Sequence, residues 1–218
     1  MSSHIRLAVV SALCATAFSC SDFRGVTVLT AGRSARFTVS HSATADLRVI
    51  VPARQWFQVA IDQGEHDLRI ELADPQGSAV RTVDAAEFGI ETVTHRGEGG
   101  GIYRLSVSIG GDADADVTAS ARLTLEPPGA ELWKEAEDSA TLVKRMWLEQ
   151  GPKALPEVVA LARQVTEAYE RIGNCAGEMV QRLRESEILY AAGDFSGAFE
   201  CARTAARQAE ELGSVRGR

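Results

Sequence analysis

The sequence predicts a two-part β + α chain: an antiparallel β-sandwich of jelly-roll type followed by a stack of α-helical hairpins. Three observations carry this. Apolar residues recur with a period of two from about Gly25 to Leu125, the period becomes helical from Glu131 onward, and Glu126-Pro-Pro-Gly-Ala130 falls between, where neither a central strand nor a helix interior can run. The predicted organisation is a leader over 1–20, a sandwich over 24–126, a linker over 127–130, a helical domain over 131–213 and a tail over 214–218.

The leader comes first. Met1 to Arg6 carries one firm positive charge, Leu7 to Phe18 is mostly apolar, and small residues follow. That is the outline of a secretory signal peptide, too short to cross a bilayer as a helix, which takes roughly twenty residues. Ala17-Phe18-Ser19-Cys20 resembles a bacterial lipobox, which implies lipidation of Cys20 and a membrane tether. Simple secretion with cleavage near Ala15 to Ala17 is the second reading, and an untranslocated first segment the third. The predicted location is therefore the periplasm or the outer-membrane surface, with or without a lipid anchor.

Apolar and polar residues alternate over Ser34–Ser40, Leu68–Leu72, Tyr103–Ile109 and Val117–Leu125, as in half-buried strands. With Val26–Leu29, Leu47–Val51, Trp56–Ile61, Val80–Val83 and Ile90–Thr94, about eight or nine strands are predicted. Turn chemistry separates them at Asp62-Gln-Gly64, Asp74-Pro-Gln-Gly77, Gly97 to Gly101 and Gly110 to Asp116.

The order Trp56-Phe-Gln-Val-Ala-Ile, Gln63-Gly64, Asp67-Leu-Arg-Ile-Glu-Leu, Asp74-Pro-Gln-Gly77 and Gly101-Ile-Tyr103-Arg-Leu-Ser-Val107 resembles the bacterial pre-peptidase C-terminal sandwich over residues 33–126. The resemblance implies an extracellular, non-catalytic accessory domain. Trp56 and Tyr103 offer a platform for carbohydrate, although aromatics in alternating strands belong more often to the core. Asp112, Asp114 and Asp116 alternate as calcium ligands do, but the glycine and the closing glutamate of an EF-type loop are missing. His41, His66 and His95 stand singly, so no metal site is predicted.

Helical text follows the Pro-Pro break. Leu132, Ala136, Ala140, Val143 and Trp147 form one stripe, with Lys134, Glu135, Glu137, Asp138 and Lys144 assigned to the solvated side. Gly151-Pro152 ends that helix, and further helices are predicted over 155–172, 176–191 and from 195. Leu155 to Gly173 returns as Phe195 to Gly213, a period of roughly forty residues that indicates stacked hairpins. Each copy closes on a glycine suited to a left-handed cap. Cys175 and Cys201 lie too far apart along such a hairpin for a disulfide, and Cys201 reads as a small core residue.

Ala191-Ala-Gly-Asp-Phe195-Ser-Gly-Ala198, with Ala202 and Ala205, resembles the tetratricopeptide repeat over 131–213. The resemblance implies protein–protein recognition on a concave face lined by the first helix of each hairpin, which selects Glu178, Arg182, Glu185 and Tyr190 as candidate partner-binding residues. A sandwich followed by such repeats is similar to the front of bacterial proteins that end in a CHAT-type protease. No protease nucleophile with its base can be assembled here, and no catalytic residue or cofactor is predicted.

Charge excludes one class. A formal net charge of -7, with lysines only at 134, 144 and 153, offers no phosphate-neutralising surface for nucleic acid. The predicted function is a non-enzymatic cell-envelope scaffold that binds a protein or peptide. The alternatives are a regulatory or sensory arm, or a remnant, of a CHAT-type protease system, and a carbohydrate-binding module.

Overall fold

The computed structural model describes residues 26–110, 115–151 and 155–213. Nine strands build the first half: β1 (Thr27–Leu29), β2 (Ser34–Val39), β3 (Ala45–Val51), β4 (Gln55–Gly64), β5 (Leu68–Ala73), β6 (Ala79–Val83), β7 (Gly89–Gly97), β8 (Gly101–Ile109) and β9 (Val117–Leu125). They form two sheets, ordered β1-β3-β8-β5-β6 and β2-β9-β4-β7. All pairings are antiparallel except β1 with β3.

The predicted alternation becomes the inner layer. Phe57, Val59 and Ile61 of β4 face Leu68, Ile70 and Leu72 of β5 and Leu105 and Val107 of β8 in one fully buried cluster. Each such side chain contributes roughly 1.5–3 kcal/mol of burial. Asp74 makes the β5–β6 hairpin: its carboxylate accepts from the amides of Gln76 and Ser78 at 2.9 and 2.8 Å, and Gly77 supplies the positive φ. Of the two aromatics considered for carbohydrate, Tyr103 is buried beside Phe57 and His95, whereas Trp56 is half-exposed.

Four helices follow: α1 (Ala130–Gln150), α2 (Leu155–Ile172), α3 (Cys175–Ala191) and α4 (Phe195–Leu212). Asn174 and Asp194 cap α3 and α4, accepting from the amides of Gly177 and Gly197 at 3.1 and 2.9 Å. Gly213 closes α4 in the left-handed region. Gly177 has a separate role: a Cβ there would lie 2.6 Å from the ring of Tyr169, so only glycine lets α3 start this close to α2.

The largest departure from expectation is the orientation of α1. Its buried face is Ala130, Ala136, Glu137, Ala140, Val143 and Lys144, while Leu132 is 47% exposed. Glu137 and Lys144, assigned to solvent by their charge, point into the sandwich because their partners lie there. A single apolar cluster consequently runs from the sheets through Val143, Val158 and Tyr169 to Ile188. The two halves thus share one core on either side of the Pro127 to Ala130 connection. The connection is itself tied down, since Trp56 and Glu126 exchange two hydrogen bonds of 3.0 and 2.9 Å.

Candidate partner-binding surfaces

The first helices of the two hairpins, α1 and α3, are the ones expected to line an open groove. Both instead face the sandwich. β7 and β6 are the edge strands of their sheets, and an edge leaves backbone groups unpaired. α1 covers them. The Glu137 carboxylate, fully buried, accepts from the Thr94 amide at 2.8 Å and from the Thr94 hydroxyl at 2.6 Å. Arg81 of β6 donates to Glu137 at 2.9 Å and, through the same nitrogen, to the Thr94 carbonyl, and its other nitrogen reaches Asp138. Burial lifts the Glu137 carboxyl above the usual carboxylate range, against the opposing pull of Arg81 and the Thr94 bonds.

About two turns further along α1, Lys144 bonds both oxygens of Asp67, at 2.8 and 2.9 Å, and also Asp84. Burial works to depress the ammonium, and the hydrogen bonds to the two aspartates outweigh it, leaving its pKa raised. Thr141 accepts from the Asp84 amide at 3.2 Å. These contacts fix α1 along its length.

The β6–β7 connection, residues 84–88, fills the space in front of α3. Arg184 and Gln181 donate to the Ala85 carbonyl at 2.7 and 3.2 Å, and Arg184 also reaches Glu87 at 3.2 Å. From the other side Gln63 donates to the Ala86 carbonyl at 3.2 Å. The Glu91 carboxylate accepts from the amides of Ala85 and Ala86 at 3.0 and 2.8 Å. No cation is bonded to Glu91 among these contacts, and burial pushes its pKa up to about 8 against the two amide donors. Ala86 completes a small apolar cluster with Met179, Val180, Ala205 and Ala209. The sandwich thus threads a loop into the helices.

The four residues selected from sequence are placed as follows. Glu178 is buried and accepts from Arg182 at 2.8 Å within α3. Arg182 also lies 3.9 Å from Glu170 of α2. Glu185 is buried and accepts from Thr166 and Arg163 of α2 at 3.2 and 3.3 Å. Only Tyr190 is freely exposed, at 66%. Arg184 and Gln181, absent from the sequence-based set, are the α3 residues that face the sandwich.

Tyr190 belongs to a different surface. Its ring meets Phe195 edge-on, with centroids 5.3 Å apart, and Phe199 follows one turn later on α4; Phe195 and Phe199 are 62% and 63% exposed. Three neighbouring rings left in water form a patch of the sort that marks an interaction site. Beside it Arg203 pairs with Glu200. Cys201 is half-buried, and burial, followed by Glu185, raises its thiol to about 11, so it is not a ready nucleophile.

A cleft of ≈ 440 Å³ opens where α1 meets β5 and β6, lined by Arg69, Thr82, Asp84, Lys144, Arg145 and Leu148, among others. Asp116 accepts from the backbone and ring nitrogen of His41 at 3.2 Å each; Asp112 and Asp114 lie outside the described residues, as does Cys20 with the whole leader. Among the described residues no three His, Cys, Asp or Glu side chains gather at metal-binding distance, and no helix is long and apolar enough to cross a membrane.

Compared by sequence, the chain matches no protein-family model and no curated protein. By structure it is similar to the pre-peptidase C-terminal domain of a collagenase from Bacillus anthracis, at 10% identity and a TM-score of 0.36, over 45% of this chain and 94% of that one. It is also similar to the periplasmic g-type lysozyme inhibitor PliG of Salmonella Typhimurium (14% identity, TM-score 0.35, 47% and 99% covered). The surface-associated copper-binding protein CorA of Methylomicrobium album BG8 is a third (10% identity, TM-score 0.34, 45% and 97% covered).

Proposed function

We propose that this chain is a non-enzymatic scaffold of the bacterial cell envelope, in which the sandwich holds a short tetratricopeptide-like helical arm and the arm presents its tip to a protein partner. The observation that supports this most is the contrast between the two faces of the helices. The face towards the sandwich is closed by buried, hydrogen-bonded polar contacts at Arg81, Glu137, Lys144 and Arg184, and such contacts hold one arrangement because each becomes costly when unpaired. At the tip, Tyr190, Phe195 and Phe199 remain in water. Aromatic residues on a rigid element are the usual anchors of protein recognition. Export rests on the leader and its lipobox-like end at Cys20.

The test is capture of envelope proteins by the tagged, exported chain. Tyr190→Ser with Phe199→Ser is expected to reduce recovery at least ~tenfold, as loss of anchor residues does. Both side chains are exposed, so the fold persists. Recovery unchanged from the wild type would remove the tip as a binding surface.

A further inference from the structure

We infer that the cleft between α1 and the edge of the five-stranded sheet binds a small molecule with an oxyanion head, phosphoryl or carboxylate, and a cationic tail. The site is separate from the aromatic tip. Its volume, ≈ 440 Å³, lies within the range of small-molecule sites, and both halves of the chain contribute to its walls. Arg69 lies on the outer face of β5, the face it shares with Thr82 of β6, which the register sets opposite Glu71. Arg145 follows Lys144 on α1. The bonds of Lys144 to Asp67 and Asp84 fix the rotation of the helix, so the place of Arg145 is set before any ligand arrives.

Both arginines are exposed, and among the described residues neither has an ion-pair partner, although Asp84 and Glu149 line the same cleft. Asp84 is turned to Lys144 instead. Two carboxylates around that one ammonium leave a single negative charge in excess, and the two arginines reverse the sign. One guanidinium from each half thus stays free to hold an oxyanion in the forked geometry that carboxylate and phosphoryl groups accept. The Thr141 hydroxyl accepts from the Asp84 amide and keeps its proton to donate, and exposed Thr82 adds a second hydroxyl. The other end of the cleft has the opposite polarity. Glu149 lies one turn, about 6 Å, beyond Arg145 at the C-terminal end of α1, where the helix dipole favours a cation. Leu148, 70% exposed, offers apolar contact to the stem that joins head and tail.

Isothermal titration calorimetry of the full chain with phosphorylethanolamine, γ-aminobutyrate and inorganic phosphate tests this. Saturable binding of one or both zwitterions is expected at millimolar concentration or below, and the tighter of the two identifies the head group. Arg69→Ser with Arg145→Ser is expected to weaken that binding at least ~tenfold while leaving the thermal midpoint of the unliganded chain unchanged, since both side chains are exposed and unpaired. Glu149→Gln should weaken the zwitterions and leave inorganic phosphate, which has no tail, unaffected. No saturable binding of any probe, or binding indifferent to the double arginine variant, overturns the inference. Zwitterions that bind no better than inorganic phosphate, or that ignore Glu149→Gln, overturn the cationic tail.

Discussion

Glu137→Ala is expected to lower the stability of the whole chain by about 3–5 kcal/mol, the range for removing one member of a buried ion pair. Three consequences combine. Arg81, whose side chain is 5% exposed, is left beside an empty space with its buried charge only partly compensated. The Thr94 amide and hydroxyl, on an edge strand that α1 seals from water, lose their acceptor. Asp138, 46% exposed at its side chain, still bonds Arg81 from the rim and does not replace a carboxylate placed between two strands. Chemical denaturation of the single variants and of Arg81→Met with Glu137→Leu separates these effects. Replacing a buried pair by apolar residues is often neutral, but here the double variant is expected to retain a cost of about 1–3 kcal/mol, because the Thr94 amide remains without a partner. A fully neutral double variant would show that the carboxylate serves Arg81 alone.

The second large effect is a pH dependence centred on Glu91. Its carboxyl has a pKa of about 8 in the folded chain against 4.5 as the ordinary value. Folding therefore binds a proton between those values, and stability from this group is fully present below about pH 4.5 and lost as pH rises through 8. The loss amounts to roughly 5 kcal/mol when the whole shift is expressed, at 1.36 kcal/mol per unit. Glu137, also raised by burial, contributes with the same sign. Glu91→Gln keeps an oxygen for the amides of Ala85 and Ala86 and removes the titration. Denaturation midpoints compared at pH 5 and pH 8.5 are expected to show a much smaller decline in the variant, which becomes the more stable protein at the higher pH. Parallel declines in both proteins would place the titration elsewhere.

Much of the architecture is legible in the residues alone, and the reason is local. β4, β5, β8 and β9 alternate cleanly because one face of each is core, and Asp74-Pro-Gln-Gly77 carries its turn within four residues. The four helices start and stop at Asn174, Asp194, Gly151 and Gly213, whose roles depend only on near neighbours. The docking of helices on sandwich is not local. Glu137 finds Arg81 and Thr94, and Lys144 finds Asp67 and Asp84, across long separations in the chain, and on a helical wheel a charged residue looks solvated until its partner is known. Glu91 hides in the same way: it lies opposite Ile61, on the inward face of β7, where alternation predicts an apolar residue. That polar intrusion into an apolar register was a signal, together with Thr92 and Thr94 on the opposite face of a strand whose two faces are both covered. For the candidate site, the repeat resemblance led to α3 and to Tyr190, but helical phase alone does not distinguish the side of α3 that meets α2 from the side that meets the sandwich. Glu178 and Glu185 went to the first, and Gln181 and Arg184 to the second.

The claim on which the rest depends is that the sandwich and the helices form one body, with α1 sealing the edge of β7 and residues 84–88 held against α3. Native-state hydrogen exchange of the Thr94, Ala85 and Ala86 amides measures it most directly. The acceptor of the Thr94 amide is Glu137 of α1, so the docked helix protects it, while the Ala85 and Ala86 amides, bonded to Glu91 of β7, report on the connection that α3 covers. The expected result is exchange only on global unfolding, at the rate of the Val59 amide in the centre of the sandwich. Exchange of these three at the rate of open loops, with Val59 still protected, would mean that the helices leave the sandwich freely and would contradict the account.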